Sequence, residues 1–250
     1  MANHIILGDS LSELRKLPSE SYAVCVTSPP YNGGWTNPAS KAGRKGSVGA
    51  ATRWRGEYDG FNDALPPDEY IVYHRAVISE VLRVLQPDGV LWYVHKRRPR
   101  FDGTFNPALV DMVLSGYPVR SEIIWYKGKP GVGFCAAGRY GGCYYPTPAF
   151  ESVFLLPKSR AGLLDRELAA KGDVWTIPNK RENGAKGHPA AFPRHLVTRC
   201  LEMTLAQGAV IDPFGGSGTT GLVAAHLGRE YTLIEQNPDY VKMAQDRLGG

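Results

Sequence analysis

The sequence predicts an α/β fold with a mostly parallel sheet and helices on both faces, and three observations predict it. Short apolar runs alternate with segments of helical spacing through the 250-residue chain. Glycine-rich or proline-rich turns follow several of those runs, at the strand ends where open α/β sheets bind ligands. The length suits one large core and would cramp two independent ones, so residues 1–250 are expected to form a single domain.

Taken in order, His4 to Leu7 reads as a strand. A short helix follows with Leu11, Leu14 and Leu17 on one face, then a second strand from Tyr22 to Val26. Pro66-Pro67-Asp68 opens a helix in which Tyr70, Tyr73, Val77, Val81 and Leu85 keep helical spacing, and Gln86-Pro-Asp-Gly89 stops it before a strand from Val90 to Val94. Pro107 starts a helix carrying Leu109, Met112 and Val113, and after Gly116 comes a strand from Val119 to Trp125. A strand at Ser152 to Leu156 precedes a helix from Arg194 to Leu205, with Leu196, Val197, Cys200, Leu201 and Leu205 on its apolar face. The chain closes with a strand from Gly208 to Ile211, a helix beginning near Thr219, and a strand from Tyr231 to Ile234.

The most informative segment is Asp212-Pro-Phe-Gly-Gly-Ser-Gly-Thr-Thr220, which joins a strand to a helix. Gly-Gly-Ser-Gly alone has linker composition. Between a strand and a helix it brings bare backbone N–H groups and a positive helix terminus up to an anionic or polar ligand. Glu235 ends the next apolar run, where a carboxylate can accept hydrogen bonds from both ribose hydroxyls. No lysine follows the glycines, which argues against a Walker-type phosphate loop. The second segment, Ser28-Pro29-Pro30-Tyr31, follows another strand. Its prolines fix φ and lack N–H donors, holding the carbonyls of Ser28 and Pro29 in a rigid extended array.

These segments resemble the amino-methyltransferases that modify cytosine or adenine in DNA. That family carries a catalytic motif Ser/Asn/Asp-Pro-Pro-Tyr/Phe, matched by Ser28, Pro29, Pro30 and Tyr31. Its cofactor loop is Asp-Pro-Phe-x-Gly-Ser-Gly-Thr, matched by Asp212, Phe214, Gly215, Gly216, Gly218, Thr219 and, just beyond it, Thr220. The catalytic motif comes first, as in the circularly permuted β group, which implies a Rossmann-like methyltransferase fold using S-adenosyl-L-methionine and releasing S-adenosyl-L-homocysteine, with no metal. His188 to Pro193, including Phe192, resembles the segment lining the methionine end of the cofactor. Asp9 resembles the acidic residue that contacts its adenine. Serine at the head of the catalytic motif is more typical of cytosine-N4 enzymes, with adenine N6 the alternative. The resemblance also implies bacterial or phage origin and a cytoplasmic, nucleoid-associated setting, with a homodimer and a cognate restriction endonuclease as the partners to look for. A more distant alternative is a nucleic-acid-binding module with a vestigial cofactor pocket.

An exocyclic amino nitrogen is a poor nucleophile because its lone pair is delocalised into the ring. Acceptors aimed at both N–H groups favour a pyramidal, localised geometry. Ser28 Oγ and the Pro29 carbonyl are the candidates, with Tyr31 stacked on the base. Since the nitrogen is unreachable inside a duplex, the nucleotide has to flip out.

A formal charge of +5 and a pI near 9.0 favour double-stranded DNA as partner. Residues 33–65 hold Lys41, Arg44, Lys45, Arg53 and Arg55 with interleaved Trp35, Trp54 and Tyr58, which suits a DNA-contacting loop. Lys96, Arg97 and Arg98 after the Val90 to Val94 strand suit phosphate contacts. Residues 128–187, with Arg139 and Lys180, fall where the β group keeps its target-recognition region, here a small insertion. His95 reads as structural. Cys25, Cys135, Cys143 and Cys200 lack Cys-x-x-Cys spacing, so neither zinc nor a disulfide framework is indicated. No apolar leader or bilayer-length segment is expected, and no membrane partner.

Overall fold

The computed structural model describes residues 3–32, 65–96, 109–128, 149–178 and 193–249. The elements are β1 (His4–Leu7), α1 (Ser10–Leu14), β2 (Tyr22–Thr27), α2 (Pro67–Val84), β3 (Leu85–His95), α3 (Leu109–Leu114), β4 (Ser121–Tyr126), β5 (Phe150–Pro157), α4 (Arg166–Ala169), β6 (Val174–Thr176), α5 (Arg194–Met203), β7 (Val210–Asp212), α6 (Thr219–His226), β8 (Tyr231–Glu235) and α7 (Pro238–Leu248). They build one sheet in the order β1-β8-β7-β2-β3-β5-β4-β6. All pairs are parallel except β3 with β5 and β5 with β4.

Period-two alternation decides which face each strand residue serves. Val24 and Val26 join Val90, Trp92 and Val94 in a cluster completed by Leu196, Val197 and Cys200 of α5 and Val223 and Ala224 of α6. Cys25 faces the other way, with Leu91 and Tyr93, into a cluster closed by Leu14, by Tyr70, Val77 and Val81 of α2 and by Val110 and Val113 of α3. Helices therefore cover both faces, and the central strands read as continuous apolar runs because neither face meets water. Cys25 and Cys200 are free, buried thiols, and burial pushes both well up.

Two expectations shift. Gln86–Gly89 does not stand outside the strand as a helix stop. The helix ends at Val84, and β3 begins at Leu85, which pairs with Tyr22 before the register slips between Tyr22 and Val24. Lys158 donates to the Leu85 carbonyl at 2.6 Å and Ser159 to that of Pro87 at 2.6 Å, so this irregular strand start has its acceptors satisfied from the β5 side. The second shift concerns residues 128–187, expected as a recognition insertion. Their middle belongs to the sheet: β5 lies between β3 and β4, with Val153, Leu155 and Leu156 fully or almost fully buried, and β6 adds Trp175 to the core. Residues on a strand hydrogen-bonded on both sides are core material, and the rest of the expected recognition region, 129–148 and 179–192, lies outside the described residues.

Candidate active site

Parallel strands β1, β8, β7 and β2 place their carboxyl ends along one edge of the sheet, and both informative segments leave from there. β7 hands directly to the loop at Asp212, whose side chain organises the turn. Its Oδ1 accepts from Thr27 Oγ1 at 2.8 Å and from the Phe214 N–H at 3.0 Å, and Oδ2 accepts from Thr220 Oγ1 at 2.6 Å. Asp212 is 1% exposed, and burial pushes its carboxyl up to about 6 against the pull of those three donors, with the charge of Glu235 adding to the rise. Asp212 and Thr220 thus frame the loop from inside. The hydrogen bond to Thr27 also ties the last residue of β2, next to Ser28, to the cofactor loop.

Gly218 is the N-cap of α6 in the left-handed region, at φ +81, and a Cβ there would meet Ala244 Cβ of α7 at 2.9 Å. Gly215 packs so closely on β8 that a Cβ would lie 2.9 Å from Leu233 Cβ. The loop therefore lies flat against β8 and α7, with its backbone, not side chains, at the strand edge. Gly216 N donates to Glu235 Oε2 at 2.9 Å, and Asn237 N to Oε1 at 2.8 Å. Each oxygen of Glu235 keeps accepting capacity. Burial raises its carboxyl, opposed by the N–H groups of Asn237, Gly216 and Gln236.

At the end of β1, Asp9 caps α1 through Ser12 N at 2.9 Å and takes the Tyr73 hydroxyl at 2.7 Å. Burial alone would push Asp9 up, but the donors Tyr73, Ser12 and Leu11 together hold it below the usual value. Tyr73 itself is raised by burial and by the Asp9 carboxylate. Gly8 N donates to the Glu235 carbonyl at 3.0 Å, and Ser10 Oγ to the Pro213 carbonyl, so the ends of β1, β8 and β7 are stitched together.

The Ser28–Tyr31 segment is held from several sides. Tyr70 on α2 donates to the Pro30 carbonyl at 2.7 Å and lies 2.9 Å from His95 Nε2. The Tyr31 ring packs on His95 with centroids 4.7 Å apart. Asn32, at φ +54, turns the chain away and donates to the Leu65 carbonyl at 2.9 Å. Ser28 Oγ lies 2.8 Å from Tyr31 Oη, and Tyr31 reaches Glu151 Oε2 of β5 at 3.4 Å. Glu151 pairs with Lys127 at 2.6 Å and has Lys96 at 4.0 Å.

Of the expected site residues, the structure brings together Ser28, Pro29, Pro30, Tyr31, Asp9, Asp212, Phe214, Gly215, Gly216, Gly218, Thr219, Thr220 and Glu235 at one sheet edge. Lys96, expected to contact a DNA phosphate, has its Nζ 4.0 Å from Glu151 Oε1, with 16% of its side chain exposed. His188, Phe192, Lys41, Arg44, Lys45, Arg53, Arg55, Arg97, Arg98, Arg139 and Lys180 lie outside the described residues. Sequence reasoning missed Thr27, Tyr70, Tyr73, Glu151 and Lys127. The tyrosines at 70 and 73 were visible only as apolar helix positions, and Glu151 carried no motif.

Comparison with known proteins agrees with this geometry. The N6/N4 DNA methylase family matches residues 22–246. The type II methyltransferase M.XycI of Xanthomonas campestris pv. cyanopsidis is 32% identical over 97% of this chain and 86% of its own length. The DNA adenine methyltransferase YhdJ of Escherichia coli (strain K12) is 29% identical over 99% and 83%. Among solved structures, PvuII DNA methyltransferase (cytosine-N4-specific) superposes with a TM-score of 0.75 at 23% identity, covering 99% of this chain and 86% of that one. The fold and site define a DNA amino-methyltransferase. The chain belongs to the N6/N4 DNA methylase family.

Among the described residues no group of three or more His, Cys, Asp or Glu side chains is arranged to hold a metal, and no helix is long and apolar enough to cross a membrane.

Proposed function

We propose that the chain methylates the exocyclic N4 of a flipped cytosine in double-stranded DNA, with S-adenosyl-L-methionine as donor. The observation that carries this reading is the Thr27–Asp212 hydrogen bond, which keeps Ser28 at the head of one segment beside the loop that begins the other. The cofactor fits the donor set at the sheet edge. Glu235 keeps accepting capacity for ribose hydroxyls, Asp9 supplies a second acidic acceptor at the end of β1, and the flat Gly215-Gly216 backbone leaves no side chain in the way. When bound, S-adenosyl-L-methionine would supply an electrophilic methyl on a sulfonium, and Glu235, Asp9 and the Gly215-Gly216 backbone would hold it.

The protein's part is positioning and electrostatics. Tyr70 pins the Pro30 carbonyl and so fixes the direction of the whole Pro-Pro segment. Ser28 Oγ and the Pro29 carbonyl accept from the amino group, localising its lone pair. Tyr31 packs against the base. Serine favours cytosine, and the PvuII enzyme's cytosine-N4 name supports that choice. Adenine N6 is the second reading, favoured by the E. coli relative's name. DNA from cells expressing the protein, digested and resolved by mass spectrometry, should contain N4-methylcytosine. N6-methyladenine alone would reject the cytosine reading.

A further inference from the structure

We propose that Glu151 is a positioning residue that, acting through Tyr31, orients the Ser28 hydroxyl so that its lone pairs face the target amino group. This inference rests on the amino-methyl transfer read for the site and explains how a serine serves there. A serine hydroxyl is both donor and acceptor, and its hydrogen rotates freely. To draw electron density toward an amino nitrogen it must act as acceptor, so its own hydrogen needs a fixed destination elsewhere.

The structure supplies one. The Glu151 carboxylate, ion-paired with Lys127 at 2.6 Å, offers only acceptors. The contact from Tyr31 Oη to Glu151 Oε2 therefore has one direction: tyrosine donates. At 3.4 Å it is long, but its acceptor is charged. Tyrosine has a single hydroxyl hydrogen, and once that points to Glu151 its oxygen can only accept from Ser28 Oγ, 2.8 Å away. The serine hydrogen is then committed to Tyr31, and the serine lone pairs point outward. A phenylalanine at position 31 would leave the hydroxyl unoriented.

Glu151 is well placed for this. It sits on β5 in register with Trp125 of β4, it is 8% exposed, and Lys127 is itself held 4.5 Å over the Trp125 ring. Side chains fixed by two adjacent strands hold a hydrogen-bond direction better than loop residues do.

The test is a double-mutant cycle in single-turnover methyl transfer with saturating cofactor and DNA, using the full chain. Tyr31→Phe and Glu151→Gln should each slow transfer by about tenfold, the effect of one ordinary hydrogen bond. The double variant should be no slower than either single one, because both break the same chain. S-adenosyl-L-homocysteine affinity by calorimetry should stay at the wild-type value in all three. Effects that multiply to about a hundredfold, or a Glu151→Gln variant with the wild-type rate, would overturn the proposal. Should Glu151→Gln fail to fold, Tyr31→Phe in a Ser28→Ala background carries the same logic: no further slowing supports the chain, and further slowing overturns it. A wild-type protein that transfers no methyl to any DNA would instead overturn the reading of the site itself.

Discussion

Replacing Gly218 with alanine separates two demands that the structure places on one residue. Gly218 caps α6 at φ +81, ψ 19, and an alanine forced into the left-handed region costs about 1–2 kcal/mol. Its new Cβ would also lie 2.9 Å from Ala244 Cβ and 3.2 Å from Ala244 Cα, inside ordinary carbon contact. The obstacle is the body of α7, so relief requires moving a helix, and overpacking of that kind costs about 1–3 kcal/mol. The sum is about 2–5 kcal/mol. Gly228 provides the comparison. It too is left-handed, at φ +69, but among the described residues nothing lies within 4 Å of its Cβ position, so Gly228→Ala should show only the strain, about 1–2 kcal/mol. Equilibrium urea unfolding of both variants gives the difference directly, and calorimetry should find cofactor binding weakened in Gly218→Ala alone, since only there is the loop pushed off α7. Equal destabilisation of the two within about 0.5 kcal/mol would refute the close-packing argument.

Two further outcomes follow from the same geometry and a third from the sequence. Asp212 is raised to about 6 in the fold, so between about pH 4 and pH 6 the unfolded chain loses this proton first and stability falls as pH rises. The unfolding free energy of Asp212→Asn relative to wild type should therefore move in the variant's favour by up to ~3 kcal/mol across that window, and a flat difference would contradict the buried charge. His74 behaves oppositely. It is wholly buried with neither ring nitrogen hydrogen-bonded among the described residues, and burial, then the charge of His95, holds it well below its ordinary value. Stability present above about pH 6.5 should be lost as pH falls below it, and His74→Phe should abolish that loss in acid unfolding. Replacing Arg53 and Arg55 together with alanine should weaken binding to all DNA sequences and reduce its salt slope, whereas changes at Arg139 or Lys180 should alter which base pairs are tolerated. Methylation mapping on a random-sequence library would contradict this if the assignments came out reversed.

Much of the architecture was legible because it depends on local pattern. Strands buried on both faces, such as Tyr22–Thr27, announce themselves as apolar runs, and the Asp212–Thr220 loop by its glycines. What stayed hidden depends on long-range pairing. Phe150–Pro157 carries a strand signal, but only hydrogen bonding to β3 and β4 reveals that it lies inside the sheet and antiparallel to both. Tyr70 sits 40 residues from the carbonyl it holds, and Glu151 lies 120 residues from Tyr31. No spacing rule relates such positions. Asp212 was legible as a site residue, but its hydrogen bonds from Thr27 and Thr220 were not, because Thr27 lies 185 residues away and the motif does not name its partners.

The central claim, that this sheet edge moves a methyl group onto a cytosine amino nitrogen, is tested most directly by incubating the purified protein with methyl-deuterated S-adenosyl-L-methionine and duplex DNA and analysing the nucleosides by mass spectrometry. A trideuteromethyl group on cytosine N4 is the expected product, strongly reduced in Ser28→Ala while that variant still binds S-adenosyl-L-homocysteine. Label on adenine N6 alone, or undiminished labelling by Ser28→Ala, would contradict it.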